Sequence, residues 1–344
     1  MTQTGSTIPL SEPISPTVRD VLRSPLARVW LPVLAAAGAV ATLDRHSDPG
    51  DLLYFVHQGE RLLSARWAET FADPTLQSGP LQLVLAGAVR STEALAFVIE
   101  LGVAVLLLVV LGRLRVPARW QVAVGLAAVA AGLTHGAFVD GHPAEVVTPL
   151  MWVLAGLEAR RGRAVRAGAL VGLSAGFELW GVLGATVLLL LPRLRDAVKG
   201  LAVEVAVVVL LLTPFVLGGD FRMFDYEWRV AEGTLLSAVL PGGTHFGWPL
   251  RLLQASVACG LGAGLALWLR RSVHAVWLVP LVVVIARLAL DPLGYGWYWL
   301  EAEALALVGA GALITAPPLR ARAVRPATAG AQHRPAAPPP PARS

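Results

Sequence analysis

The chain contains no asparagine, only one lysine (Lys199) among its 28 basic residues, and a single cysteine, Cys259. One cysteine excludes an intrachain disulfide and with it the small stapled scaffolds. The missing asparagine and scarce lysine read as codon bias, so a choice of arginine over lysine carries little chemical information here. Charge is sparse altogether: 15% of residues are Asp, Glu, Lys or Arg, against about 25% in ordinary soluble domains. The seven histidines are scattered, and no His-x-x-x-His or Cys/His spacing encloses a metal. Glycine-rich phosphate loops and nucleophile elbows are also missing, which excludes the P-loop enzymes and the serine hydrolases built on that elbow.

Apolar residues fill the space: they make up 56% of the chain and set a mean hydropathy of +0.64. Such a composition does not belong to a water-soluble globule. Crossing ~30 Å of hydrocarbon takes about 20 mostly apolar residues, and nine to eleven stretches approach or meet this. The expected fold is an all-α, polytopic transmembrane bundle of about ten spans. Residues 26–316 form it, between a cytoplasmic N-terminal tail (1–25) and a disordered Pro/Ala/Arg-rich cytoplasmic tail (317–344). The net charge of +5 does not signal nucleic acid, because the arginines cluster between apolar spans, where they act as topology signals.

Arginine placement fixes a path. Arg19, Arg23 and Arg28 precede a span at about 26–43, and Arg113, Arg115 and Arg119 follow one at about 94–112. The segment 44–93 is therefore expected outside, with seven acids against four arginines. A span from Trp120 to Phe138 leads out to Asp140-Gly141-His142-Pro143, and the next returns to Arg160-Arg161-Gly162-Arg163. Residues 167–192 have basic clusters on both sides, which predicts two short helices folded back near Gly176–Gly181 with Glu178 at the outer tip. After a span at about 200–217, the outer segment 218–250 has room for a short amphipathic helix on the membrane. Spans at about 252–269, 274–290 and 298–316 complete the bundle in a plasma membrane, both termini cytoplasmic.

The first outer loop opens with Asp48-Pro49-Gly50-Asp51-Leu52-Leu53-Tyr54. Positions 52, 56, 59–60 and 63 approximate helical spacing, so a surface helix is expected from Leu52. Asp51 has two readings: a cap for that helix, or a general base accepting a proton from a hydroxyl as it attacks an activated carbon. Asp48 and Glu178 are candidate second acids, Asp48 also fitting an ordinary turn residue. Charges inside spans are functional candidates by default, namely Glu100, Glu178, Glu204, Arg287, Glu301 and Glu303. Glu204, one turn from the inner boundary, is expected to snorkel to water. Arg287 is placed to pair with a glutamate or to grip a phosphate, with Arg251 or Arg229 as helpers. Tyr54, His142 and His245 are further outer-cleft candidates.

The order of these parts resembles the GT-C superfamily, in particular the polyprenyl-phosphate-mannose-dependent mannosyltransferases of actinobacteria. The resemblance rests on Asp51-Leu52-Leu53-Tyr54, Gly59-Glu60-Arg61-Leu62-Leu63, Gly79-Pro80-Leu81, Gly141-His142-Pro143, Arg160-Arg161-Gly162-Arg163 and Thr244-His245-Phe246-Gly247, in that sequence. It implies an inverting transfer of a sugar from a polyprenyl-phosphate donor to a glycolipid or glycan hydroxyl on the outer face, with Asp51 as base. Where such enzymes carry Lys-Pro in the folded-back hairpin, this chain has Glu178-Leu179. The resemblance calls for no cofactor and leaves a divalent cation open. Two other classes stand beside the transferase: a non-catalytic membrane scaffold, and a lipid or sugar transporter. Convergence of Asp51, Glu178 and Arg287 on one cavity favours the enzyme; dispersal around the bundle favours the scaffold.

Overall fold

A computed structural model of the protein describes residues 24–315. The expected tails, up to residue 23 and from 317 onward, lie outside the described residues. The described chain is mostly helical with almost no sheet, and five of its helices are long and apolar enough to cross a membrane, six if a bent pair counts as one.

Helix α1 (Pro25–Asp44) starts at Ser24, whose hydroxyl accepts the Ala27 N–H at 3.1 Å, with Pro25 at the first helical position. Helix α2 (Leu52–Leu62) turns Leu52, Phe55, Val56 and Gly59 inward. It packs on α3 (Pro80–Val89) so closely that a Cβ on Gly59 would lie 2.2 Å from the Leu83 carbonyl oxygen. Helix α4 (Thr92–Arg113) is apolar all round and runs through the middle of the bundle, 56% of its apolar window buried. The expected span from Trp120 to Phe138 is instead two helices, α5 (Ala118–Ala130) and α6 (Leu133–Val139), bent by 41° at Gly132. Gly132 sits at φ 86°, a conformation that ends one helix and restarts the next.

Helix α7 (Ala144–Arg160) follows, then the predicted hairpin: α8 (Ala164–Ala175) and a 3₁₀ segment (Leu179–Leu190) packed on each other, with the break at residues 176–178. Trp152 of α7 pins that hairpin, its indole N–H shared between the Ser174 hydroxyl (3.1 Å) and the Gly181 carbonyl (2.9 Å). Helices α9 (Leu194–Gly218) and α10 (Trp248–Trp268) are apolar, yet only 17% of each apolar window is buried within the protein. Leu210, Leu217 and Trp268 stand outward from them. Faces so apolar and so little covered suit hydrocarbon, not water. Helices α11 (Ala275–Ala289) and α12 (Trp299–Thr315) close the bundle.

Between α9 and α10 no α-helix forms. That segment pairs with itself instead, as an antiparallel ladder of β1 (Trp228–Arg229) and β2 (His245–Phe246), with a single 3₁₀ turn at Leu236–Ala238. Gly233 and Gly243, both at positive φ, and Pro241 punctuate the stretch too often for a helix. Glu204 also departs from expectation. It is 3% exposed, with Oε2 lacking a hydrogen-bond partner, so it does not reach water.

Candidate functional site

Two loops 91 residues apart form the rim of a cavity at one end of the bundle. Gly50 (φ 52°) and Gly141 (φ 78°) interlock: a Cβ on Gly141 would lie 2.6 Å from the Pro49 oxygen, and one on Gly50 2.8 Å from the Asp140 oxygen. Only glycine permits both the left-handed turn and the backbone contact. This seats Asp51 beside His142, with Asp51 Oδ2 3.2 Å from His142 Nε2. A second junction brings in the hairpin. The Gly79 N–H donates to the Phe177 carbonyl (2.7 Å), the Leu81 N–H donates to the Gly176 carbonyl (2.8 Å), and Ser78 pairs with Glu178 as an isolated bridge.

The cavity has a volume of about 580 Å³. Asp51, Tyr54, His142, Glu178, Arg251 and Arg287 line it, together with Glu145, Trp180, Asp291 and Tyr298. Three sequence-derived candidates do not. Asp48 is exposed and points elsewhere; Arg229 and His245 sit in the β-ladder, where His245 pairs with Glu227 at 3.2 Å. The ladder's pairing places both off the cavity wall.

Asp51 occupies the position before α2 but makes no side-chain cap bond, so the capping role falls away. Its carboxylate is 65% exposed toward the cavity mouth and bonds His142 instead. That hydrogen bond outweighs partial burial and holds Asp51 below the usual carboxylate range, in its ionised form. His142 stacks flat on Trp297, with ring centroids 5.1 Å apart at 5°, and meets the edge of Phe55. Burial opposes its charge, but the bond to Asp51 and the nearby Glu178 and Glu145 carboxylates raise its pKa above the ordinary value. Glu178 accepts the Trp180 indole N–H. Burial, reinforced by the Glu145 charge, pushes the Glu178 carboxyl up to about 7.

Arg287 forms the far wall and is not a free cation. It pairs with Glu301, with Glu145 at 3.7 Å and Asp291 at 3.9 Å, and lies over the rings of Trp180 (4.4 Å) and Tyr298 (5.4 Å). Of the two alternatives the sequence left for Arg287, the glutamate pairing is the one present. Arg251 is half-buried, donating from Nη2 to the Tyr226 carbonyl at 2.6 Å and lying over Trp248. It is the cavity arginine without a carboxylate partner within salt-bridge distance among the described residues. Tyr54 donates its hydroxyl to Asp73 at 2.9 Å.

Sequence reasoning passed over Glu145. It lies in the first turn of α7, 1% exposed and three residues after His142. His142 lies in the loop just ahead of that helix, and an acid so soon after it, its N–H bonded to the His142 carbonyl at 3.1 Å, is the signal that could have found it. Sequence spacing gave no metal site, yet the structure brings His142, Glu145 and Glu178 together, one ligand atom of each within 4.8 Å of the others. The third member comes from the hairpin tip, so no local motif announces the group. No family model, no curated protein and no solved structure matches the chain.

Proposed function

We propose that the protein is a membrane glycosyltransferase of the GT-C kind, with about ten spans. It would move a sugar, mannose by resemblance, from a polyprenyl-phosphate donor to a cell-envelope hydroxyl. In this reading the cavity faces the outside of the plasma membrane and both termini are cytoplasmic. The observation that carries it is the convergence of Asp51, Glu178 and Arg287, distant in sequence, on one cavity. A scaffold has no need to gather buried charges, each costly to desolvate, around a hollow.

The chemistry follows from the groups at hand. The acceptor hydroxyl sits at the mouth against Asp51, which is ionised, exposed and held by His142. As the acceptor oxygen attacks the sugar's anomeric carbon, Asp51 takes its proton and the bond from that carbon to the phosphate oxygen breaks. The configuration inverts, and polyprenyl phosphate leaves. Arg251 is placed to meet the charge that develops on the leaving phosphate, whereas Arg287 holds the carboxylates of the far wall in position. General-base catalysis of this kind contributes about 10²–10⁴-fold. Membranes supplied with labelled polyprenyl-phosphate mannose should therefore transfer label, and Asp51→Asn, expressed to the same level, should lose at least ~100-fold of the rate. Unaltered transfer by Asp51→Asn would remove Asp51 as base.

A transporter draws support from Glu100, buried with both carboxylate oxygens unpartnered, and from Glu204. Neither lines the cavity.

A further inference from the structure

We propose that His142, Glu145 and Glu178 bind one divalent cation of the manganese or zinc type at the floor of the cavity.

Four observations bear on it. The three ligand atoms lie within 4.8 Å of one another. Metal–ligand bonds of about 2.0–2.2 Å set neighbouring donors roughly 3–4 Å apart, so a small inward movement closes the set. One imidazole with two carboxylates suits manganese or zinc better than calcium, which prefers oxygen alone.

The second observation is unmet bonding capacity. Glu145 is 1% exposed, and its Oε2 meets no N–H donor among the described residues, lying beside the Glu301 carboxylate; Arg287 Nη1, at 3.7 Å, is already committed to Glu301. His142 Nδ1 is likewise buried without a partner. Orphaned acceptors in such places cost about 1–3 kcal/mol each, and one cation would satisfy both.

Third, the surroundings of His142 have the form found around metal-bound histidines. A ligating imidazole donates its other ring N–H to a carboxylate, which fixes the tautomer. In the neutral ring that a metal requires, giving Nε2–H to Asp51 at 3.2 Å leaves the lone pair on Nδ1, the orphaned atom. The fourth observation is charge. Asp51, Glu145, Glu178 and Asp291 line the cavity against Arg251 and Arg287 alone, and Glu301 adds a further carboxylate behind Arg287. That excess of carboxylate repels a phosphate, and a divalent cation offsets two charges of it. Its role as partner of the donor phosphate rests on the transferase reading, whereas the binding site itself does not.

The test titrates Mn²⁺ alone into the purified full-length protein in lipid nanodiscs and follows loss of the free-ion signal by electron paramagnetic resonance. Saturable binding of one ion per chain is expected, with nitrogen coupling from an imidazole in the pulsed spectrum. Glu178→Gln and Glu145→Gln should abolish saturable binding. Asp51→Asn should weaken it about 10–100-fold, as loss of a histidine-orienting carboxylate does. Asp48→Asn, off the cavity, should bind as the wild type. His142→Gln, where its thermal transition is retained, should lose the nitrogen coupling. Absence of saturable binding overturns the site, as does one-ion binding indifferent to both glutamate variants. Manganese binding without sugar transfer keeps the site and removes the transferase; transfer that survives chelator in a protein that takes up no manganese does the reverse.

Discussion

Helix α7 carries two charge clusters of opposite composition at its two ends. Near its last turn one carboxylate, Glu158, itself buried, sits among Arg163 (3.0 Å), Arg161 (2.6 Å) and Arg113 (3.5 Å), whose side chains are substantially exposed. Near its first turn one guanidinium, Arg287, sits among Glu301, Glu145 and Asp291, all buried. Excess arginine at the first end stands in water and is screened there, so it needs no partner. Excess carboxylate at the other end has neither water nor enough cations. A surplus of buried charge is unfavourable unless something else completes it, and that asymmetry separates a cluster that holds the fold from one that awaits a ligand.

The strongest way to break the comparison is to remove the cavity-end cation. Arg287→Met strands the buried Glu301 and Glu145 without their cation and should cost about 3–5 kcal/mol, read as a lowered thermal transition in detergent. Adding Glu301→Gln should recover part of it; an unchanged transition in the single variant would mean the carboxylates are otherwise satisfied. A middle-sized effect is expected from Gly141→Ala. Forcing a side chain into the left-handed turn against the Pro49 oxygen costs about 1–3 kcal/mol. It should also pry Asp51 from His142, and a displacement of about an ångström lowers transfer roughly 100-fold. Transfer at the wild-type rate would show that the loop contact does not position the base. The smallest change belongs to the other end: Glu158→Gln should cost at most about 1 kcal/mol, and less still at ~1 M salt, where the Debye length is about 3 Å. A loss as large as that of Arg287→Met would erase the distinction between the ends.

Elements set by local pattern were legible in the sequence. Helices α1 and α4 follow from apolar runs flanked by Ser24 and Ser91 caps, and basic clusters on both sides of residues 167–192 foretold the hairpin with Glu178 at its break. What was hidden depends on contacts distant in the chain. The Trp228–Phe246 ladder pairs residues across two glycine turns, and nothing at either strand alone marks its partner. Glu145 resembles any acid in a helix's first turn, where it would complement the helix dipole; its burial appears only once α11 and α12 bring Arg287 and Glu301 against it. Arg229 and His245 were set beside the site by charge and predicted depth, and the register that carries them off the wall is a tertiary fact.

Helix α7 also behaves as a strut with a fixed seat at both ends. Glu145 and Glu158 are about 20 Å apart along it. Sliding the helix by one turn, about 5.4 Å, would pull Glu158 away from its arginines and drag Glu145 past Arg287. An axial member seated in this way resists displacement along its length. The hairpin is held by hydrogen bonds instead, joined to the neighbouring loop by the Gly79 and Leu81 backbone bonds and pinned to the strut through Trp152. Displacing Glu178 therefore breaks hydrogen bonds, whereas displacing Glu145 breaks its ion pair with Arg287.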